Sequence, residues 1–142
     1  MGFDSFHPDP QHARPIWGDS QFRYVHHVNI GPYFIRKSAY ERLGGWDHAF
    51  SACGEPGICF ESELCLRAWI NGFRVGYRFV PFKGPAGHYS MDGGTMLFSR
   101  DDRERNRLAN SERIFHTYEP SSARIDALVR AAGEAGGAVN GR

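Results

Sequence analysis

Two acidic side chains, Glu61 and Glu63, are the groups in this chain best suited to acid–base chemistry. A pair of carboxylates can supply the acid and the base of glycoside hydrolysis. On a helix, however, residues two apart point to different sides, so the two make a poor hydrolytic pair. The spacing instead indicates one catalytic carboxylate and one structural carboxylate. The alternative is that both are solvated acids in a first helical turn, where the helix dipole favours them.

An aromatic and an acid, Trp46 and Asp47, directly follow the pair Gly44-Gly45. Glycines let the backbone approach a ligand closely, and an indole ring can stack on the face of a sugar. This turn is therefore a candidate binding site. A packed turn, in which Asp47 bonds to nearby backbone amides, is an equally open interpretation.

One histidine, His88, is a candidate for metal binding. His88 lies in a polar, glycine-rich loop that could close over a ligand, although a single histidine more often has a packing or surface role. His26 and His27 fall on a predicted strand and therefore face opposite sides. We expect one of them to face the core and the other the solvent, which argues against a metal pair.

The cysteines Cys53, Cys59 and Cys65 are odd in number and spaced six apart, with no Cys-x-x-Cys pair. This pattern predicts reduced thiols in a cytoplasmic protein rather than a disulfide framework or a zinc site.

Several elements must position these groups. At residues 22–35 the sequence predicts one strand or two short ones, with a break at Gly31-Pro32. Residues 38–43 predict a short helix that starts with a Ser38/Glu41 capping box and ends at the two glycines. Residues 46–57 predict a long loop, which in a compact domain is often functional.

The second half of the chain is predicted to be mainly helical. Residues 61–71 form the clearest amphipathic helix, with Leu66, Trp69, Ile70 and Phe73 as the buried face and Glu63 paired with Arg67. Gly72 ends this helix and a strand follows at residues 73–80. The sequence predicts a charged helix at residues 100–118 and a further helix at residues 121–132.

The composition excludes several classes of protein. The chain has 41% hydrophobic and 14% aromatic residues, which is too many for a wholly disordered chain. A net charge of +1 gives no field that would attract nucleic acid or an anionic membrane. No apolar run is long enough to span a bilayer, and the first residues do not have the pattern of a signal peptide.

Together these residues resemble the C-terminal, acceptor-side half of a family two glycosyltransferase domain of the GT-A type. The resemblance covers about 65 residues and rests on the order of several short motifs. They are Arg36-Lys37, Gly44-Gly45-Trp46-Asp47, Phe60-Glu61-Ser62-Glu63-Leu64-Cys65-Leu66-Arg67, Gly72-Phe73-Arg74-Val75 and His88. The chain has Phe60 where the family usually has an acid, and Glu61 where Asp is commoner.

The resemblance implies a fold, an activity and a set of ligands. The fold would be α/β, a partial GT-A-like (Rossmann-like) domain with a small mixed sheet and flanking helices. The activity would be inverting transfer of a sugar from a nucleotide sugar to a carbohydrate or other hydroxyl acceptor. Glu61 would be the general base, His88 a ligand of Mg or Mn, and the acceptor side would comprise Gly45, Trp46, Asp47 and Glu63.

The family's nucleotide-binding half, with its Asp-x-Asp motif, is not found in this sequence. Asp4 and Asp9 are poor substitutes for that motif. We therefore expect a partial enzyme, with an irregular segment at residues 1–20, a glycosyltransferase-like part at 21–120, and a helix with a flexible tail at 121–142. The expected location is the cytoplasm, with the inner face of the membrane as a peripheral alternative.

Two other classes stay open. The chain could be a non-catalytic remnant or interaction module that uses the charged helix at residues 100–118 as its contact surface. It could also be a small metal-binding protein that uses its histidines and cysteines.

Overall fold

A computed structural model describes residues 14–17, 20–28, 33–50, 52–79 and 94–139. The described elements are three strands, four helices and two 3₁₀ turns. The strands are β1 Arg14–Trp17, β2 Ser20–Tyr24 and β3 Gly76–Phe79. The helices are α1 Lys37–Arg42, α2 Phe60–Ile70, α3 Arg100–Tyr118 and α4 Ser122–Val139, with 3₁₀ turns at Gly94–Leu97 and Glu119–Ser121. The chain is thus of mixed helix and strand content, as predicted.

The sheet has the strand order β1-β2-β3, and both of its described pairings are antiparallel. The mixed sheet that we expected is therefore not found in the described part of the chain. The segment predicted to be irregular at residues 1–20 contains β1. The strand predicted at residues 73–80 is shorter and begins at Gly76, which lies opposite Tyr24.

Of the one or two strands predicted at residues 22–35, the structure shows β2, which ends at Tyr24, and the predicted break at Gly31-Pro32 lies outside the described residues. Val25 still donates to the Val75 carbonyl at 3.2 Å, and the side chains that follow contact helices. His26 contacts Asp126 of α4 at 2.7 Å and His27 contacts Ser62 of α2 at 3.0 Å. Both histidines are half-buried, so the prediction of one core-facing and one exposed histidine was wrong.

Helix α1 begins without the predicted capping box. Arg36 is the N-cap residue, with no side-chain cap, and the helix starts one residue before Ser38. The Glu41 carboxylate lies 3.7 Å from the Lys37 ammonium instead of reaching back to the backbone of Ser38. The predicted end is correct, since Gly44 and Gly45 have φ angles of 80° and 75°, which side chains other than glycine rarely adopt.

Helix α2 is the central element of the core. Its predicted face is confirmed at Leu66 and Trp69, but Leu64 and Cys65 are also fully buried. The helix is therefore covered on more than one side. One cluster of buried residues joins it to α3 and α4, namely Phe50, Leu66, Trp69, Ile114, Tyr118, Ile125 and Ala132. A second cluster of Leu43, Leu64 and Ala68 joins it to α1.

The two last helices differ in how well the sequence predicts them. Helix α3 has the predicted bounds, and the Ser99 hydroxyl caps it by accepting a hydrogen bond from the Asp102 amide. Helix α4 runs to Val139, so the flexible tail predicted after Ala132 is helical over most of its length. Ile125 and Ala132, two turns apart, fix α4 on the core. No described helix is long and apolar enough to cross a membrane.

The same substitution at two glycines should have opposite effects on stability. A Cβ atom on Gly76 would lie 2.2 Å from the Phe22 ring, so Gly76→Ala should destabilise the fold by about 1–3 kcal/mol. A Cβ atom on Gly133 would meet nothing within 4 Å, so Gly133→Ala should stabilise helix α4 by about 0.5–1 kcal/mol. Urea denaturation followed by circular dichroism measures both. An unchanged Gly133→Ala variant would mean that α4 ends before Gly133.

Candidate functional site

A single side chain, Arg67, joins the turn at Gly44-Gly45, the glycine turn, to helix α2. Its guanidinium donates to both carboxylate oxygens of Glu63, from Nε at 2.9 Å and from Nη2 at 2.8 Å. The same group donates to the backbone carbonyls of Gly45, at 2.8 Å, and of Leu43. The predicted pair of Glu63 and Arg67 is thus confirmed, and it also holds the turn in place.

Glu63 is buried, with 3% of its surface exposed. Besides Arg67 it accepts a hydrogen bond from the Tyr118 hydroxyl at 2.6 Å. Burial, together with this bond to a carboxylate, raises the pKa of the Tyr118 phenol above its ordinary value. The fully bonded carboxylate ties α3 to α2 and matches the structural role that the sequence predicts for one of the two acids.

A cleft of about 580 Å³ opens where these groups meet. It brings together three of the predicted site residues, Trp46, Asp47 and Glu63. Its other lining residues are Gly44, His48, Phe50, Arg67, Arg113, Thr117 and Tyr118. Gly45 contributes its carbonyl to Arg67 rather than a surface to the cleft.

Trp46 and Asp47 are both partly used in holding the turn. The Trp46 ring packs edge-to-face on Phe60 with 4.6 Å between centroids, and it also contacts the rings of Tyr33 and Tyr40. Asp47 accepts a hydrogen bond from the Ala49 amide at 2.9 Å, as the packed-turn interpretation predicts. Both residues nevertheless line the cleft, so the turn combines packing with a surface that faces the cleft.

Glu61 is also buried, with 4% of its surface exposed, so the interpretation of Glu61 and Glu63 as solvated acids was wrong. It lines neither this cleft nor the cavity next to it, although the role of general base implied by the resemblance requires access to an acceptor. Its surroundings include Tyr33 and Cys65, since its charge adds to burial in raising the pKa of both groups. Glu63 acts on the same two groups, so the two carboxylates share part of their surroundings.

The predicted metal ligand, His88, lies outside the described residues, as do Asp4 and Asp9. Within the described ranges, no three His, Cys, Asp or Glu side chains are close enough to hold a metal ion. Cys53, Cys59 and Cys65 are free thiols.

Two buried amides that the sequence analysis missed support the loop before α2. Asn106 accepts from the Ile58 amide at 2.8 Å, and Asn110 donates to the carbonyls of Ile58 at 2.6 Å and Phe50 at 3.1 Å. In sequence they are two polar residues of a charged helix. Only their i, i+4 spacing next to buried Ile114 could have indicated that they face the protein.

Comparison with models of known protein families, with curated proteins and with solved structures gave no match.

Neutralising Glu63 should destabilise the fold. Glu63→Gln leaves the Arg67 guanidinium without its counterion; because Arg67 keeps some solvent contact, we expect a loss of about 2–4 kcal/mol in the free energy of unfolding. The matched control is Glu104→Gln, which breaks the exposed pair with Arg107 on α3 and should leave stability unchanged. Equal denaturation midpoints for the two variants would contradict the central role of Glu63.

The buried phenols predict a loss of stability in alkali. Burial raises the pKa of Tyr33 and Tyr118, so the folded protein keeps protons that the unfolded chain loses near pH 10. The unfolded state is then favoured as pH rises above about 10, and stability falls. Tyrosinate absorbance, followed together with circular dichroism, should show part of the six tyrosines ionising only on unfolding. Complete ionisation of a still folded protein would contradict the burial of these groups.

Proposed function

We propose that this chain is the acceptor side of an inverting glycosyltransferase, which moves a sugar from a nucleotide sugar to an acceptor hydroxyl. The observation that carries the proposal is the set of hydrogen bonds that the Arg67 guanidinium makes. It holds the Gly-Gly-Trp-Asp turn against Glu63 of the Glu-x-Glu helix start, and Trp46, Asp47 and Glu63 line one cleft. The resemblance rests on the order and spacing of these motifs, which lie 14 residues apart between Asp47 and Glu61.

The residues have distinct roles in this proposal. Trp46 and Asp47 contact the acceptor, because both line the cleft. Glu63 positions the turn through Arg67. Glu61 accepts the proton of the acceptor hydroxyl, whose oxygen then bonds to the anomeric carbon as the bond to the diphosphate breaks. Attack from the opposite side inverts that carbon.

A divalent metal, Mg or Mn, would neutralise the departing diphosphate. The described residues contain no cluster that fits such an ion, and His88 lies outside them. The chemistry proposed for the described residues therefore concerns the acceptor alone.

A second candidate function is a non-catalytic interaction module. The burial of Glu61 favours it, because a general base must come within a hydrogen bond, or one water, of the proton it removes. The two functions differ in their response to an acceptor. A transferase part binds saccharides at the cleft, whereas an interaction module does not.

Binding at the cleft tests the proposal directly. Saturation-transfer NMR on the purified chain with a panel of methyl glycosides should show binding that Trp46→Ala and Asp47→Asn weaken. Asp101→Asn, which changes an exposed acid on α3, is the matched control and should bind like the parent. No binding of any glycoside would favour the interaction module.

The donor should bind poorly to this chain, because the sequence contains no Asp-x-Asp motif to hold a metal and a diphosphate. Calorimetry with UDP- and GDP-sugars in the presence of Mn²⁺ should give no heat of binding. Micromolar affinity would show that the donor site has been placed wrongly.

The role of Glu61 predicts a specific loss of activity. In a preparation that transfers sugar, Glu61→Gln should lower the rate by about 10²–10⁴-fold, because it keeps the shape of the side chain and removes the base. Its affinity for the donor should not change. Glu112→Gln, an exposed acid on α3, is the control. Transfer at the parent rate by Glu61→Gln would leave Glu61 with a structural role only.

A further inference from the structure

A second cavity lies next to the cleft. This cavity has a volume of about 630 Å³ and lies between the loop that precedes α2 and one face of α3. His48 and Arg113 line both spaces, so the two are neighbours that meet at these side chains, where Arg113 also donates to the Ala49 carbonyl. We call the pair of spaces the extended groove. Each space alone has the volume of a small-molecule site, so the two together offer more room than one sugar needs.

The far end of the extended groove is held by buried amides. Asn106 and Asn110 line it and are 8% and 3% exposed. Their hydrogen bonds to Ile58, to Phe50 and to the Glu55 carboxylate fix the loop against α3. The two walls are therefore positioned before any ligand arrives, which lowers the entropic cost of binding.

The charges along the extended groove nearly balance. Its lining holds four carboxylates and three guanidinium groups, together with the imidazole of His48. The carboxylates are Asp47, Glu55, Glu63 and Asp102, and the guanidiniums are Arg67, Arg105 and Arg113. Two acids are already paired, Glu63 with Arg67 and Asp102 with Arg105. Such a surface favours a neutral ligand with many hydroxyl groups over a nucleotide or a polyanion.

Each of the two spaces has an aromatic ring in its lining. Trp46 lines the cleft and Phe98 lines the second cavity. Rings of this kind can pack on the apolar faces of sugars, while the carboxylates, amides and guanidiniums between them bind hydroxyl groups.

From these observations we infer that the acceptor is a neutral oligosaccharide that lies along the extended groove. Its terminal sugar occupies the cleft beside Trp46 and Asp47, and the preceding sugars occupy the second cavity between the loop and α3. The inference rests on the proposed function and names the substrate class of that same site.

Blocking only the second cavity tests the inference. Ala109 lies on α3, lines the second cavity and is exposed, so Ala109→Trp should fill that space without removing a buried contact. Ala131→Trp places the same ring on an exposed position of α4, outside the extended groove, and is the matched control. Both variants are compared with the parent chain on a glycan array that carries neutral, sulfated and phosphorylated glycans from one to six sugars.

The parent chain should bind neutral tetrasaccharides about tenfold more tightly than the matching monosaccharides. Ala109→Trp should reduce tetrasaccharide binding to the monosaccharide level and leave monosaccharide binding intact, whereas Ala131→Trp should change neither. Equal binding of short and long glycans, or an unaffected Ala109→Trp variant, would overturn the extended acceptor and leave the proposed function standing. A preference for sulfated or phosphorylated glycans would overturn the neutral ligand. The absence of binding to every glycan would overturn both proposals.

Discussion

The described fold depends on the position of one partly buried guanidinium. Arg67 binds Glu63 on its own helix and two backbone carbonyls of the glycine turn. An ion pair of this kind is a weak source of net stability, because both charges lose hydration when they are buried. Its value lies in geometry. The planar guanidinium can donate to all of these acceptors only when the turn and α2 have one relative position. A carbonyl of the turn can face the guanidinium because Gly44 and Gly45 adopt left-handed conformations.

Some elements follow from local sequence signals and others do not. Helix α3 has a serine cap and acids in its first turn, so its bounds could be predicted. Helix α4 was predicted only as far as residue 132, because Gly133 and the glycines after it indicate a tail, whereas the structure continues it to Val139. After β2, His26 and His27 contact two helices in a run of residues that the sequence predicts as strand.

For the candidate site, the sequence predicts that Trp46, Asp47 and Glu63 lie together, but not that Glu61 is buried away from their cleft. The i, i+2 spacing predicts different sides for Glu61 and Glu63, yet both carboxylates act on Tyr33 and Cys65. The dipole argument for solvated acids fails because it considers α2 as an isolated helix. In the fold, Tyr118 of α3 covers Glu63, and Tyr33 lies near Glu61. Both contacts come from segments distant in sequence, so no local pattern could have predicted them.

The start of helix α2 is determined by α3 rather than by its own residues. Cys59 precedes the helix with a φ angle of 71°, an unfavourable conformation for a side chain other than glycine. A conformation of this kind persists only when its surroundings hold it. Asn106 and Asn110 supply that support through their bonds to Ile58, one residue earlier. The amides that shape the second cavity therefore also fix the direction in which α2 begins.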